Sequence, residues 1–169
     1  MLIVLADTHG TEDPRLTDHL RDRLRAGEVV VHAGDFTTEA VLEAFGEYPL
    51  CAVRGNSDES GVCERLPATR TVEWGGRRLV VTHGHRRGPT SLSLLVRERR
   101  ADGVIVGHTH RPTAGEHAGT VVVNPGSHAD PRGGTASYAT FERTEDEGDG
   151  IVGRIRAVTD GAVLGTVVL

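Results

Sequence analysis

The chain of 169 residues contains no lysine, so all 19 of its basic residues are arginine. Its two cysteines, Cys51 and Cys63, are too few for a disulfide framework and lack the spacing of a zinc ribbon. No apolar run approaches the roughly 20 residues that a membrane-spanning helix needs. The net charge of −5 provides no basic surface for general nucleic-acid binding. The composition therefore argues against a disulfide-stabilised secreted domain, a helical membrane protein and a general nucleic-acid binder.

The length and the N-terminal sequence give further expectations. We expect one domain, residues 1–169, whose core needs no structural metal. The sequence MLIVLADTHG is apolar for only five residues and lacks the basic region and cleavage site of a signal peptide. With so few cysteines, the expected compartment is the reducing cytoplasm. No membrane contact is expected, and the formation of a homo-oligomer stays open.

Strand and helix signals alternate over the first two thirds of the chain. The runs LIVLA, VVVH and LCAVR are predicted strands, and TTEAVLEAFGE and TSLSLLVRER are predicted helices. The segment DPRLTDHLRDRLRAG predicts a helix with Asp13 as N-cap, Pro14 at the first helical position and Gly27 as its end. This alternation predicts crossover units and a largely parallel sheet.

The last third is rich in strand signals. Asp160 and Gly161 predict a hairpin between the final two strands, and the acidic stretch 142–150 is expected to be a solvated loop. A mixed sheet followed by antiparallel strands, with helices outside, predicts an α/β fold of two packed sheets covered by helices.

Side chains that can bind metal follow most of the predicted strands. Because the carboxyl ends of parallel strands meet at one edge of a sheet, residues far apart in sequence can share one site there. The sequence GHTH places two imidazoles in one short turn, and neutral imidazole is the commonest metal ligand among side chains. The candidate residues at the strand ends are Asp7, His9, Asp35, Asn56, Asp58, His83, His85, His108 and His110.

The chemistry of this set indicates divalent metal ions. It combines carboxylate, imidazole and one amide oxygen without any thiolate, which suits Mn, Fe, Co, Ni or Zn. The set offers more ligands than one ion would take from the protein while leaving positions open for water and substrate. Two ions that share a bridging carboxylate satisfy this count.

The order of these motifs resembles the calcineurin-like metallophosphoesterase superfamily. The family pattern D-x-H, G-D, G-N-x-[DE], H and G-H-x-H matches ADTHG, HAGDF, RGNSD, VTHGH and GHTH over residues 1 to 141. The sequences THGH, GHTH and NPGSHADPRGGTASY are similar to the YfcE-type phosphodiesterase branch. This resemblance implies a four-layer α/β/β/α sandwich of two mixed sheets flanked by helices.

The resemblance also implies a division of the ligands between two ions. The first ion would be held by Asp7, His9, Asp35 and His110, and the second by Asp35, Asn56, His83 and His108, with Asp35 bridging. Asp58 would orient His9 through its second ring nitrogen. Asp35, Asn56, Asp58 and His83 are the residues expected to act in catalysis.

Other polar residues have weaker assignments. His85 either supports the ligands or is exposed, His32 is expected to pack beneath the site, and His19 and His117 are expected to be solvated. Arg132, or the pair Arg86 and Arg87, could anchor a phosphate by a bidentate contact.

One position departs from the pattern of many superfamily members. They carry histidine after the asparagine of the third motif, where it can protonate the leaving group, whereas this chain has Ser57. Serine is too weak an acid for that role at neutral pH, so metal, water or another group must assist the leaving oxygen.

The functional prediction is a dinuclear metal-dependent phosphodiesterase, in which a metal-bridging hydroxide attacks phosphorus in line. Mn²⁺ is the expected metal, with Ni²⁺, Co²⁺, Fe²⁺ or Zn²⁺ as alternatives, and the expected partner is a small phosphodiester or phosphoester. A phosphomonoesterase or cyclic-nucleotide phosphodiesterase stays open. A non-catalytic scaffold like the retromer subunit of this superfamily is the alternative from another class.

Overall fold

The computed structural model describes residues 1–144 and 150–169, which form two β-sheets with helices on their outer faces. The strands are β1 (Leu2–Leu5), β2 (Val29–His32), β3 (Leu50–Ala52), β4 (Thr69–Trp74), β5 (Arg77–Thr82), β6 (Gly103–Ile105), β7 (Thr113–His117), β8 (Thr120–Asn124), β9 (Ser137–Arg143), β10 (Ile151–Ala157) and β11 (Val163–Val168). The helices are α1 (Asp18–Ala26), α2 (Glu39–Ala44), α3 (Ser60–Arg65) and α4 (Pro89–Arg99).

Both sheets are mixed. The first has six strands in the order β11-β10-β9-β1-β2-β3, with β1, β2 and β3 parallel and the other three joined antiparallel. The second has five strands in the order β4-β5-β6-β8-β7, with β5, β6 and β8 parallel. Each sheet therefore has three adjacent parallel strands whose carboxyl ends lie on one edge.

Alternation along the first strand separates two apolar layers. Leu2 and Val4 point into the core between the sheets, where they pack with residues of the second sheet such as Val81. Ile3 and Leu5 point to the opposite face. Because successive strand residues face opposite sides, a fully apolar strand is buried on both faces.

Helices cover the two outer faces. Leu20 and Leu24 of α1 pack against the outer face of the first sheet together with residues of α2 and α3. Leu95 and Val96 of α4 pack against Val80 of the second sheet. The result is the α/β/β/α sandwich, so the predicted fold class is confirmed.

The only tryptophan of the chain lies at one end of this sandwich. Trp74 ends β4, is 8% exposed, and packs in the core between the sheets. Its Nε1–H donates to Glu28 Oε2 over 3.2 Å, and the Arg143 guanidinium lies 5.0 Å from its ring centroid. These contacts join the two sheets at the start of β5, since Trp74 pairs with Arg77.

The predicted start of the first helix is wrong. The helix begins at Asp18 after Thr17, whose side chain accepts the N–H of Leu20. Asp13 instead accepts the N–H of Arg15, and Arg15 has a left-handed backbone with φ +52°, so this segment is a turn. The predicted end at Gly27 is confirmed.

Two short elements and one loop also differ from the sequence prediction. Helix α3 and strand β7 were not predicted from the sequence. The start of the predicted acidic loop belongs to β9, which extends to Arg143. Residues 145–149 of that loop lie outside the described residues. Both cysteines are free.

In the parts of the chain that the structure describes, no helix is both long enough and apolar enough to cross a membrane.

Adjacent leucines on α4 test the packing of this helix. Leu95 is 4% exposed and Leu94 is 53% exposed. Leu95→Ala should lower the free energy of unfolding by about 2–5 kcal/mol because it leaves a cavity under the helix. Leu94→Ala is the matched control and should change it by less than about 0.5 kcal/mol. Urea denaturation measures both, and equal losses would contradict the described face of α4.

Candidate metal centre

The candidate ligands lie on loops that follow five strands, three in the first sheet and two in the second. The site therefore lies across the junction between the two sheets, at the edge where the parallel strands end. Asp7 and His9 follow β1, Asp35 follows β2, Asn56 and Asp58 follow β3, His83 follows β5, and His108 and His110 follow β6.

Five of these residues have a left-handed backbone. The φ angles are +54° at Asp7, +46° at His9, +62° at Asp35, +70° at His108 and +59° at His110. This conformation is uncommon for residues with a side chain, costs on the order of 1–3 kcal/mol each, and is concentrated at functional sites. One of the contacts that hold it is the His9 N–H, which donates to the Asp35 carbonyl over 3.1 Å.

One cluster of ligand atoms contains Asp7, His9 and His110. Each offers an atom within 4.8 Å of the others. The two Nε2 atoms of His9 and His110 are 3.2 Å apart, and His110 Nε2 is 3.6 Å from Asp7 Oδ1. Asp35 Oδ2 also lies 3.5 Å from His9 Nε2. These atoms converge as the ligands of one ion do.

A second cluster shares Asp7 with the first. Asp7, Asp35 and His83 place ligand atoms within 4.8 Å of one another. His83 Nε2 is 3.2 Å from Asp35 Oδ2 and 3.2 Å from Asn56 Oδ1. Asp7 and Asp35 therefore lie between His9 and His110 on one side and His83 on the other.

Two predicted ligands lie at the exposed rim of the site. Asn56 and His108 are both exposed, whereas Asp7, Asp35, His83 and His110 are buried. The ring centroid of His108 is 5.3 Å from that of His83. His108 belongs to neither of the two clusters formed among the described residues.

Backbone carbonyls fix the direction of two imidazoles. The Nδ1–H of His83 donates to the Ala33 carbonyl over 2.9 Å, and the Nδ1–H of His110 donates to the Asp130 carbonyl. A proton on Nδ1 leaves the Nε2 lone pair free, and in both residues Nε2 faces the carboxylates. Both rings are thus set for metal binding through Nε2.

Asp58 does not orient His9, so that expectation is wrong. Its Oδ1 accepts the N–H of Thr37 over 2.8 Å, and its Oδ2 accepts the N–H groups of Gly55 and Asp35 over 2.7 and 3.2 Å. A carboxylate with three backbone donors has little capacity left for an imidazole. Asp58 instead joins the loop after β2 to the loop after β3.

These two loops approach each other closely at Gly55. A Cβ added there would lie 2.0 Å from Asp35 Oδ1, closer than any side chain permits. The backbone N–H of Ser57, two residues after Gly55, donates to the same Asp35 oxygen over 2.8 Å. Glycine is therefore required for Asp35 to lie against this loop.

The protonation states favour metal binding. Burial would raise the pKa of Asp35, but the hydrogen bond and positive charge of His83 and the Ser57 N–H hold it well below its usual range. Burial lowers the pKa of His9 and of His108, which keeps both rings neutral. Metal ligands must be deprotonated, and Asp35, His9 and His108 meet that condition near neutral pH. His83 differs, because burial would lower its pKa but the hydrogen bond and charge of Asp35 raise it, so an ion bound there would displace a proton from His83.

Asp7 carries the clearest sign of a missing partner. Its Oδ1 accepts the N–H of His108 over 3.0 Å, but its Oδ2 is buried and has no hydrogen-bond partner among the described residues. Burial raises the pKa of Asp7 to about 6, although the charges of His83 and His110 oppose this change. A buried carboxylate oxygen of this kind fits a metal ion.

The remaining histidines lie where the sequence predicts them, and His85 takes one of its two predicted places. His32 is fully buried beneath the site, where Nε2–H donates to Thr8 Oγ1 over 2.8 Å and Nδ1 accepts the Gly34 N–H. His85 is exposed, 5.5 Å from His83 between ring centroids. His19 and His117 are exposed, as expected.

Several positioning residues were not identified from the sequence. Asn124, at the end of β8, donates to the Gly107 carbonyl over 2.8 Å, and Ser127 donates to the Asp7 carbonyl over 2.7 Å. Arg15 donates to the carbonyls of Thr8 and His9. Asn124 and Ser127 both belong to the sequence NPGSH, whose polar residues directly after a strand could have indicated a role at the site.

A family model and several known proteins match this chain. The family model described as the calcineurin-like phosphoesterase superfamily domain matches residues 1–146. A probable metallophosphoesterase of Methanothermobacter thermautotrophicus is 36% identical over 138 residues, which cover 78% of this chain and 80% of that protein.

Two further relatives have solved structures. Phosphodiesterase YfcE of Escherichia coli K12 is 36% identical over 101 residues, 56% of this chain and 53% of YfcE. The structure of YfcE, titled a phosphoesterase, matches with a TM-score of 0.73 at 25% identity and covers 98% of this chain and 97% of its own. Vps29 of Entamoeba histolytica, solved in complex with zinc, matches with a TM-score of 0.75 at 21% identity over 99% and 97% of the two chains. The Vps29 match shows a shared fold.

The raised pKa of Asp7 predicts how metal-free protein responds to pH. Its pKa in the folded state is about 6 against an ordinary value of 3.8, so burying the ionised form opposes folding increasingly as pH rises through this range. Asp7→Asn should therefore stabilise the metal-free protein, by on the order of 3 kcal/mol near pH 8 and by less near pH 5. Urea denaturation in the presence of a chelator measures this difference.

The same variant should bind metal more weakly, because the amide lacks the negative charge. A metal-free Asp7→Asn protein that is less stable than wild type near pH 8 would contradict the assignment of Asp7 as a destabilising buried charge.

Proposed function

The chain belongs to the calcineurin-like phosphoesterase superfamily, and on this premise we propose that it is a dinuclear metal-dependent phosphodiesterase. The observation that supports this most directly is the buried pair Asp7 and Asp35, flanked by His9 and His110 on one side and by His83 on the other. Two adjacent clusters that share the Asp7 carboxylate suit two ions better than one.

We assign the ligands as the family pattern implies. Asp35 would contribute to holding both ions, Asp7, His9 and His110 would hold the first, and Asn56, His83 and His108 would hold the second. The positions of Asp35 Oδ2 near both His9 and His83 support the bridge. Two divalent ions, with Mn²⁺ expected first, would supply positive charge for the phosphoryl oxygens and lower the pKa of a bound water.

The chain itself holds these groups in place before substrate arrives. Asp58 and the close approach at Gly55 fix Asp35, while the carbonyls of Ala33 and Asp130 fix the rings of His83 and His110. Preorganised ligands avoid reorganisation during the reaction, which is a major source of catalytic power. Asp58 is therefore a positioning residue in this proposal.

The leaving group would receive no proton from a side chain at the usual position. Ser57 is exposed and its N–H is bound to Asp35. His128 cannot replace it, because it is 6% exposed, its Nε2–H donates to the Pro14 carbonyl, and burial lowers its pKa to about 4. The substrates we propose are phosphodiesters whose leaving groups carry negative charge well.

Other activities compete with this proposal. The similarity to YfcE favours a phosphodiesterase over a phosphomonoesterase or a cyclic-nucleotide phosphodiesterase. A scaffold role is the second candidate, since Vps29 has the same fold. Because a zinc complex of Vps29 exists, metal binding does not separate the two candidates. Turnover of an aryl phosphodiester by the metal-loaded protein separates them, with Asp35→Ala as the inactive reference.

Single substitutions test the proposed division of ligands. In crystals soaked with manganese, anomalous scattering should show two peaks about 3.5–4 Å apart. Asn56→Ala should lower the occupancy of the second ion and leave the first, whereas Asp35→Ala should empty both. His19→Ala, which changes an exposed helix residue, is the control and should retain both peaks.

A single peak in the wild-type protein would refute the dinuclear centre. Equal loss of both ions in Asn56→Ala would show that the ligands are divided differently.

Ser57→His tests the missing proton donor. General-acid assistance is typically worth about 10² to 10⁴-fold, and most for poor leaving groups. The variant should accelerate the hydrolysis of alkyl phosphodiesters more than that of nitrophenyl ones, and kcat/KM across a series of leaving groups measures this. Ser60→His, at a nearby exposed position at the start of α3, should leave the series unchanged.

Metal content must be measured in parallel, since the new imidazole lies beside Asn56. If the wild-type rate does not depend on the leaving group, another residue already donates the proton and this interpretation of Ser57 is wrong.

A further inference from the structure

A cleft of about 480 Å³ opens beside the metal centre, between the loop after β3 and the loop after β5. Asn56 and His85 form the part of its wall nearest to the metal ligands. Three arginines, Arg54, Arg86 and Arg87, line the same cleft. We call this space the arginine cleft.

The positive charge of the arginine cleft is not neutralised by neighbouring carboxylates. Within the described residues, none of its three arginines has a carboxylate oxygen within 4.0 Å, although the chain contains 24 acidic residues. Of the described residues that line the cleft, Asp58 alone has a carboxylate, and its oxygens already accept three backbone N–H groups. The cleft is a locally positive site on a protein of net charge −5.

The guanidinium groups have spare donors. Arg87 makes one long contact, 3.4 Å from its Nη1 to Ser91 Oγ, and the Nη1 of Arg54 donates to the Cys63 carbonyl over 2.8 Å. Arg86 is exposed. Each guanidinium offers five N–H donors, and two or three such groups around one space are suited to the oxygens of a phosphate.

We propose that the arginine cleft binds a second phosphate of the substrate, so that the preferred substrates are small phosphodiesters that also carry a terminal phosphate. This inference rests on the proposed function for the position of the scissile phosphodiester. That group would lie at the ligands beside Asn56, and a substituent extending past His85 would bring its phosphate to the arginines.

The dimensions and charge favour a small molecule over a polynucleotide. The volume falls within the range of roughly 300–1,000 Å³ typical of small-molecule sites. The negative net charge would repel a long phosphate chain outside the cleft.

A pair of substrates with the same leaving group isolates the second phosphate. Thymidine 5′-(p-nitrophenyl phosphate) and its 3′-phosphorylated derivative release the same nitrophenolate. The wild-type protein should hydrolyse the phosphorylated compound with a kcat/KM about tenfold higher, mainly through a lower KM. Added salt should reduce this advantage, because screening weakens an exposed ionic contact.

The variant Arg86→Gln/Arg87→Gln should reduce the ratio of the two kcat/KM values toward unity. Arg97→Gln/Arg99→Gln on α4 makes the same change of charge at two exposed residues outside the cleft and should retain the wild-type ratio. A ratio near unity in the wild-type protein, or a ratio that both double variants reduce equally, would overturn the proposal.

Binding to metal-free protein tests the cleft without any turnover. Calorimetric titration should show tighter binding of thymidine 3′,5′-bisphosphate than of thymidine, and the Arg86→Gln/Arg87→Gln variant should lose the difference. If this result holds while no diester is hydrolysed, the proposed function fails and the phosphate site stands. Equal binding of both compounds by the wild-type protein would overturn the phosphate site, whatever the activity. An oligothymidylate that binds more tightly than the bisphosphate would overturn the assignment to a small molecule.

Discussion

The burial of two carboxylates side by side is the constraint on which the functional edge of this protein depends. Asp7 and Asp35 are almost inaccessible to water, and two such charges repel each other strongly in a medium of low dielectric constant. His83 compensates Asp35, but among the described residues Asp7 Oδ2 has no hydrogen-bond partner. This edge therefore carries uncompensated negative charge, which divalent cations are suited to offset. The left-handed backbone of five residues at the site adds conformational strain.

The site is formed by loops from both sheets of the sandwich. The first sheet contributes the loops after β1, β2 and β3, and the second contributes those after β5 and β6. Both ligand clusters found among the described residues draw on the two sheets, because His83 and His110 come from one and their carboxylate neighbours from the other. The apolar core between the sheets thus sets the distances among the ligands, and loosening that core would separate imidazoles from carboxylates.

Residues with a repeating or ordered pattern could be predicted from the sequence, whereas residues positioned by distant contacts could not. The buried strands, the layer order and the strand-end placement of the ligands follow from apolar runs and motif order. The start of α1 was misplaced because Arg15 adopts its turn to reach the carbonyls of Thr8 and His9, a contact outside the helix. Asp58 was misassigned for a similar reason: its spacing from Asn56 is recorded in the motif, but its three donors lie on two separate loops. The assignment of ligands to individual ions stays a prediction.

The position of Trp74 has an experimental consequence. It pairs with Arg77 at the start of β5, whereas the metal ligand His83 follows the other end of the same strand. As the only tryptophan of the chain, it is the single indole fluorophore, and its environment is the junction of the sheets with Glu28 and Arg143. Its fluorescence emission therefore reports whether the sheets are packed. Because the metal ligands lie at the opposite edge, a paramagnetic ion bound there would not contact the indole. Unfolding can thus be followed by fluorescence while metal loading is measured separately.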